Sequence, residues 1–294
     1  MRNFLFWVIL LLANSGFACD IHGKTGIVEE NDLWIGPENK SVNSLGMEEF
    51  NKLLDKVEAV YGPEIDAKGG KLVIDRNWED GTVNAYAYQE GKDWHIAMFG
   101  GLARHETITV DGMSLVACHE LGHHLGGAPK KGDYDGAVSW ASNEGQADYF
   151  GTLKCLKKVW EKDDNISILK KRIVDEFATK KCKEQFQHEM DIAICQRVAM
   201  AGMSVSNLFN ALRNRTIPLR FDTPDTKFVR KTFDNHPAPQ CRLDTYFSGA
   251  VCNKDPYTDI ADDLATDTGA CTIKEGAKIG TRPNCWFGTD SNMI

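Results

Sequence analysis

Residues 118–127 read CHELGHHLGG, with three histidines and one glutamate inside six positions. His119 and His123 are four apart, so a helix places both imidazoles on one face, one turn from each other. At that spacing two imidazoles can reach a single Zn²⁺. Glu120 sits one residue round the helix and approaches a water beside the ion rather than the ion itself. The H-E-x-x-H order thus points to metal-assisted hydrolysis, with two histidine ligands and a glutamate general base.

Catalytic zinc takes three protein ligands and keeps one position open for water. The extended form HExxHxxGxxH would need its third histidine at position 129, which is Pro129, so that form is excluded. His124 points about 100° away from His123 and reads as a partly exposed residue at the helix end. The third ligand has a better source in SNEGQADYFGTLKCL, residues 142–156. Glu144 would come from a second helix lying across the first. Asp148 is one turn further on the same face, where a carboxylate can accept the N–H of a liganding imidazole and fix its tautomer.

Several elements must hold these groups. Met47, Phe50, Leu53, Leu54, Val57, Val60 and Tyr61 have helical spacing, with Ser44 as cap and Gly62-Pro63 as stop. KLVIDRNW at 71–78 reads as a strand, and two further β-like runs flank Glu90-Gly91-Lys92 as a hairpin. The zinc helix runs from about Asp111 to Leu125 and closes on Gly126-Gly127. The second helix covers roughly Ser142 to Trp160. More helix is expected over about 164–180 and 184–213, then a proline-bearing loop over 217–240 and a short helix over 241–252. The order predicts an α+β fold, mostly helical, with a small antiparallel sheet.

The chain has 294 residues and a net charge of −8, with no basic stripe to neutralise phosphates, so nucleic acid is not an expected partner. Arg2 precedes an apolar run of about ten residues, Phe4 to Ala13, too short to span a bilayer. Gly16 and Ala18 follow in a small-x-small arrangement. Residues 1–18 therefore read as a secretory signal peptide, and an alternative reading makes Cys19 the lipidated first residue of a lipoprotein. No later segment reads as a membrane span. Nine cysteines without a C-x-x-C pair point to disulfides in an oxidising compartment. Their pairing is not deducible, and the odd thiol falls naturally to Cys19. Asn39, Asn165 and Asn214 stand in N-x-S/T triplets, which matter only in a eukaryotic secretory pathway. The expected organisation is a lead-in over 19–43, a catalytic domain over 44–252 and a cysteine-bearing extension over 253–294.

HExxH followed by N-E-x-x-x-D, here His119, Glu120, His123, Asn143, Glu144 and Asp148, resembles the gluzincin metallopeptidases such as thermolysin. Three further segments resemble the family of HtpX, the CaaX-prenyl endopeptidases and BepA: VNAYAY at 83–88, MFGGLARH at 98–105, and NHPAPQCRLDTY at 235–246. The resemblance implies a zincin-type domain and a zinc-dependent endopeptidase acting on a protein or peptide. It implies that Asn84, Ala85 and Tyr86 lie on an edge strand that pairs with an extended substrate. It also implies that His236 and Arg242 face the site from the far loop, where either could stabilise the oxyanion. Two alternatives stay open: His236 as a fourth, self-inhibiting zinc ligand, and a non-catalytic zinc-bearing chaperone or binding protein.

Overall fold

The helix that carries the H-E-x-x-H stretch lies at the centre of the protein. In the computed structural model, which describes residues 26–39, 45–132 and 138–288, this helix (α3) spans Val110–Leu125. The Thr109 hydroxyl caps it by accepting the Gly112 N–H at 3.0 Å. Gly126 and Gly127 end it, Gly127 at φ +71°, where a side chain would be strained. Every residue from Asp111 to His124 is buried, so α3 has no solvent face.

The preceding helix (α1, Met47–Ala67) differs from expectation at both ends. It starts at Gly46, whose N–H is accepted by the Glu49 carboxylate at 3.3 Å, and Ser44 lies outside the described residues. It also continues through Pro63. Tyr61 and Ile65, one turn apart, are both wholly buried, and their burial outweighs the single backbone hydrogen bond that the proline removes.

Three strands form the main sheet: β1 (Lys71–Asn77), β2 (Ala85–Glu90) and β3 (Asp93–Phe99). The β2–β3 hairpin about Gly91 is antiparallel, as the sequence suggests. The expectation of an all-antiparallel sheet fails at β1, which pairs parallel with the far side of β3 to give the order β1-β3-β2. The link from β1 to β2 is too long for a tight turn and crosses β3 instead. Arg104, in a short helix (α2, Gly100–Arg104), holds that link by donating to Trp78 O and Asp80 O. β2 is left at the edge. Residues 26–36 run antiparallel beside 81–85: Ile27 N–H bonds Ala85 O at 3.0 Å, Trp34 bridges Thr82, and Ile35 N–H bonds Gly81 O at 2.8 Å.

A small hairpin, β4 (Lys130–Gly132) with β5 (Val138–Ser142), leads into α4 (Glu144–Phe150). The helix runs on through a wide-turn π segment, Gly151–Cys155, into α5 (Leu156–Trp160). After α6 (Asn165–Leu169) and α7 (Glu176–Gln185), α8 (Glu189–Leu212) and α9 (Pro239–Val251) pack on each other and on the central helices. α8 corrects the expectation that no later segment could span a membrane. By length and a mean hydropathy of 1.2 it could, but 72% of that stretch is buried inside the protein, where it serves as core. Asn165 is likewise no surface acceptor: its amide is buried, donating to Trp160 O and accepting from Arg197.

Four disulfides join the eight cysteines of the described residues: Cys118–Cys155, Cys182–Cys195, Cys241–Cys285 and Cys252–Cys271. They indicate an oxidising environment. Cys118–Cys155 ties α3 to the π segment. The two last bonds fasten the loop-rich stretch after α9 to the body. Cys19 and residues 1–18 lie outside the described residues. The C-terminal stretch packs against α4: Trp286 is fully buried, its ring 2.2 Å from where a Cβ on Gly145 would stand. Arg282 donates to Gln146 Oε1 at 2.7 Å, and Tyr149 O–H donates to Gly280 O at 2.5 Å.

Removing Cys118–Cys155 with paired alanines frees a 37-residue separation in the unfolded chain, which should lower unfolding free energy by about 4 kcal/mol in urea titration. Burial pushes the Asp244 carboxyl on α9 up to about 6, against the Asp225 N–H and Gln240 amide that it accepts. A carboxyl raised above its unfolded value stabilises the fold at low pH and loses that stabilisation as pH rises through 6. Asp244→Asn should therefore gain stability relative to wild type between pH 4 and pH 7.5, by up to about 3 kcal/mol.

Candidate metal centre

α3 and α4 bring three groups to one point. His119, His123 and Glu144 are wholly buried, with one ligand atom from each lying within 4.8 Å of the others. His119 Nε2 is 3.4 Å from Glu144 Oε2, and His123 Nε2 is 3.8 Å from Glu144 Oε1. The two imidazole rings stand nearly perpendicular, 4.8 Å between centroids. Helix spacing accounts for the histidine pair. Glu144 is placed by its own helix start: Asn143 caps α4 by accepting the Gln146 N–H at 2.9 Å and donates to Asp234 Oδ1 at 3.0 Å.

The tautomers follow from the partners. His123 Nδ1 lies 2.8 Å from Ser142 O, a pure acceptor, so Nδ1 carries the proton and Nε2 presents a lone pair. His119 Nδ1 lies 2.7 Å from Asp148 Oδ1 in the same sense. His119 Nε2 and both oxygens of Glu144 are buried with no hydrogen-bond partner. Orphaned lone pairs in a core are costly unless something binds them. Two neutral imidazole nitrogens and a carboxylate are a donor set that suits a divalent ion such as zinc.

Electrostatics separates the two histidines. Burial opposes charge on His119, but Asp148, by charge and hydrogen bond, and Glu144 overcome it and raise the ion-free imidazole to about 9, so a divalent ion would have to displace a proton from Nε2 to use its lone pair. Burial dominates at His123 and pushes it down to about 3. Burial also works against the Glu144 anion, yet His236, His119 and His123 hold it well below the usual carboxylate range.

Asp148 gathers donors from two helices. Besides His119 it accepts from Arg242 Nε and Nη2, each at 2.7 Å, and from Tyr246 O–H at 2.6 Å. The expectation that Arg242 faces the reacting carbonyl therefore does not hold. Its guanidinium is committed to Asp148 and to Ile27 O at 2.7 Å, and it stacks 3.8 Å over the Phe209 ring. A buried carboxylate next to Glu144 needs its own counter-ion, and Arg242 is it. Tyr246 was missed, although it stands one helical turn after Arg242 on α9. Ser142 was missed too, because it acts through its carbonyl and its side-chain type carries no signal.

His236 approaches from the loop before α9. Its Nε2 lies 3.4 Å from Glu144 Oε2 and donates to Gly26 O at 2.7 Å. Asn84 and Ala85 line the same region. Asn84 accepts Val28 N–H and donates to Val28 O, both at 3.3 Å, while Ala85 O accepts the Ile27 N–H. Tyr86 follows in β2, edge-on to Phe99 at 5.7 Å. Glu120, next to His119 on α3, is wholly buried. His124 is not the partly exposed residue expected. It is sandwiched between Trp94 and Trp140, with centroids 5.4 and 4.7 Å away, and bonds His95 O at 3.0 Å. Neither tryptophan is near it in sequence, so only the fold reveals that slot.

Comparison with protein-family models, curated proteins and solved structures found no match to this chain.

Asp148→Asn should weaken zinc binding about 10–100-fold, read by competition with a chromogenic chelator. Tyr246→Phe, which removes one donor to Asp148 and leaves the imidazole contact, should weaken it less.

Proposed function

We propose that the protein is an exported zinc-dependent endopeptidase of the gluzincin type. The observation that carries this reading is the convergence of His119 Nε2, His123 Nε2 and the Glu144 carboxylate on one buried point, with the lone pairs of His119 and Glu144 lacking any hydrogen-bond partner. Three protein ligands leave a fourth position for water, which is the mark of a catalytic rather than a closed structural site. A zinc ion held there would supply Lewis acidity to a water and to the carbonyl of a bound peptide.

The chain's own residues have distinct tasks. Glu120 takes the proton of the attacking water and returns it to the leaving nitrogen. His236 donates its Nε2–H to the carbonyl oxygen as charge develops there. Its 2.7 Å bond to a peptide carbonyl, Gly26 O, supports that role over the fourth-ligand alternative. Asp148 fixes the orientation of His119, and Arg242 with Tyr246 fixes Asp148. Asn84 and Ala85 offer polar groups to an extended peptide. A purely structural zinc site would give Glu120 no task beside the metal, which disfavours the chaperone reading. Residues 1–18 act as the signal peptide, and export into a periplasm or the exterior accords with four disulfides.

Glu120→Gln should keep one zinc per chain by elemental analysis while its cleavage of casein falls about 10²–10⁴-fold. Turnover equal to wild type would remove Glu120 from the role of base.

A further inference from the structure

Gly26, Ile27 and Val28 have five backbone polar groups whose partners come from two separate parts of the chain. Gly26 O accepts from His236 Nε2 at 2.7 Å. Ile27 N–H donates to Ala85 O at 3.0 Å, and Ile27 O accepts from Arg242 Nη1 at 2.7 Å. Val28 N–H and C=O are both clamped by the Asn84 side chain at 3.3 Å. Asn84 and Ala85 on one side and His236 and Arg242 on the other thus grip a three-residue stretch that bends at Ile27 and Val28. His236 Nε2, which holds the Gly26 carbonyl, is itself 3.4 Å from Glu144 Oε2.

The side chains are selected as tightly as the backbone. A Cβ on Gly26 would stand 2.1 Å from Ala85 O and 2.2 Å from Asn84 Oδ1, inside any tolerable contact, and Ala85 O is backbone that cannot turn aside. The Ile27 side chain is wholly buried, and Val28 is 4% exposed. The groove therefore takes glycine, then a bulky apolar residue, then another apolar residue. A strap serving only to brace the sheet edge would need neither a glycine at this point nor a donor reaching it from beside the metal centre.

We propose that Gly26–Val28 is a peptide bound in cis in the substrate's place, and that the groove accepts in trans a peptide reading glycine, bulky apolar, apolar. The proposal rests on the peptidase reading of the site for the meaning of the groove, but its binding test does not need turnover. The resident segment competes with any such peptide at high local concentration, so it weakens capture in trans without abolishing it.

The test uses the zinc-loaded full chain carrying Glu120→Gln, so that no peptide is consumed. The probe is a fluorescent peptide copying residues 24–29, Lys-Thr-Gly-Ile-Val-Glu, read by anisotropy. Adding Gly26→Val should expel the resident segment and tighten probe binding at least tenfold. A probe with valine in place of its glycine should bind neither protein. Equal affinity of the two proteins for the probe, or equal binding of the two probes, overturns the proposal. Should Gly26→Val fail to melt cooperatively, hydrogen exchange on the wild-type sequence decides. Saturating probe should speed exchange of the Ile27 and Val28 amides more than tenfold, and unchanged exchange overturns the proposal. Zinc retained and casein cleaved at one rate by wild type and Gly26→Val defeats the cis occupant alone. Absence of zinc and of casein cleavage in both defeats the peptidase reading, while the binding pattern still decides the occupant.

Discussion

Two carboxylates, Glu144 and Asp148, are buried one helical turn apart in the middle of this protein, and the rest of the structure answers that constraint. Two neighbouring anions in a core are untenable without compensation. Asp148 is neutralised within the chain by the two-pronged Arg242, and its remaining valences go to Tyr246 and His119. Glu144 has no such arginine. It faces three imidazoles at 3.4 to 3.8 Å, which favour its charge without the two-pronged grip of a guanidinium. The difference in partners divides the pair into a fixed support and a carboxylate shared among imidazoles.

Rigidity around that pair comes from three directions. α3 is buried on all sides, so the histidines cannot swing. Cys118–Cys155 joins α3 to the helix that Glu144 begins. Asp234 ties the start of α4 to the loop bearing His236, two residues before that histidine. Small residues permit these close approaches. Gly122 lets Ala147 of α4 lie against α3, where a Cβ would meet Ala147 O at 2.7 Å, and Gly249 lets α9 reach Thr152 of the π segment.

Much of the site was legible because its information is local. His119, Glu120 and His123 share a helix, as do Glu144 and Asp148, and helical spacing alone orders them on one face. The helix end at Gly126-Gly127 is likewise written in adjacent residues. The failures are those of distance. The parallel pairing of β1 with β3, the tryptophan slot around His124 and the continuation of α1 past Pro63 depend on partners far along the chain. Arg242 shows a subtler limit: its place in the loop-and-helix segment was readable, but which acid it would satisfy was not. A guanidinium goes to the anion that most needs it, and that need appears only once Asp148 is buried.

The seating of Trp286 on Gly145 has a consequence for biogenesis. The backbone that presents Glu144 is shored up by residues near 280–288, over a hundred positions downstream. Until those residues are in place, the two histidines are already present but their carboxylate companion lacks its backing. The cluster of His119, His123 and Glu144 is therefore completed only once residues 280–288 have packed on α4.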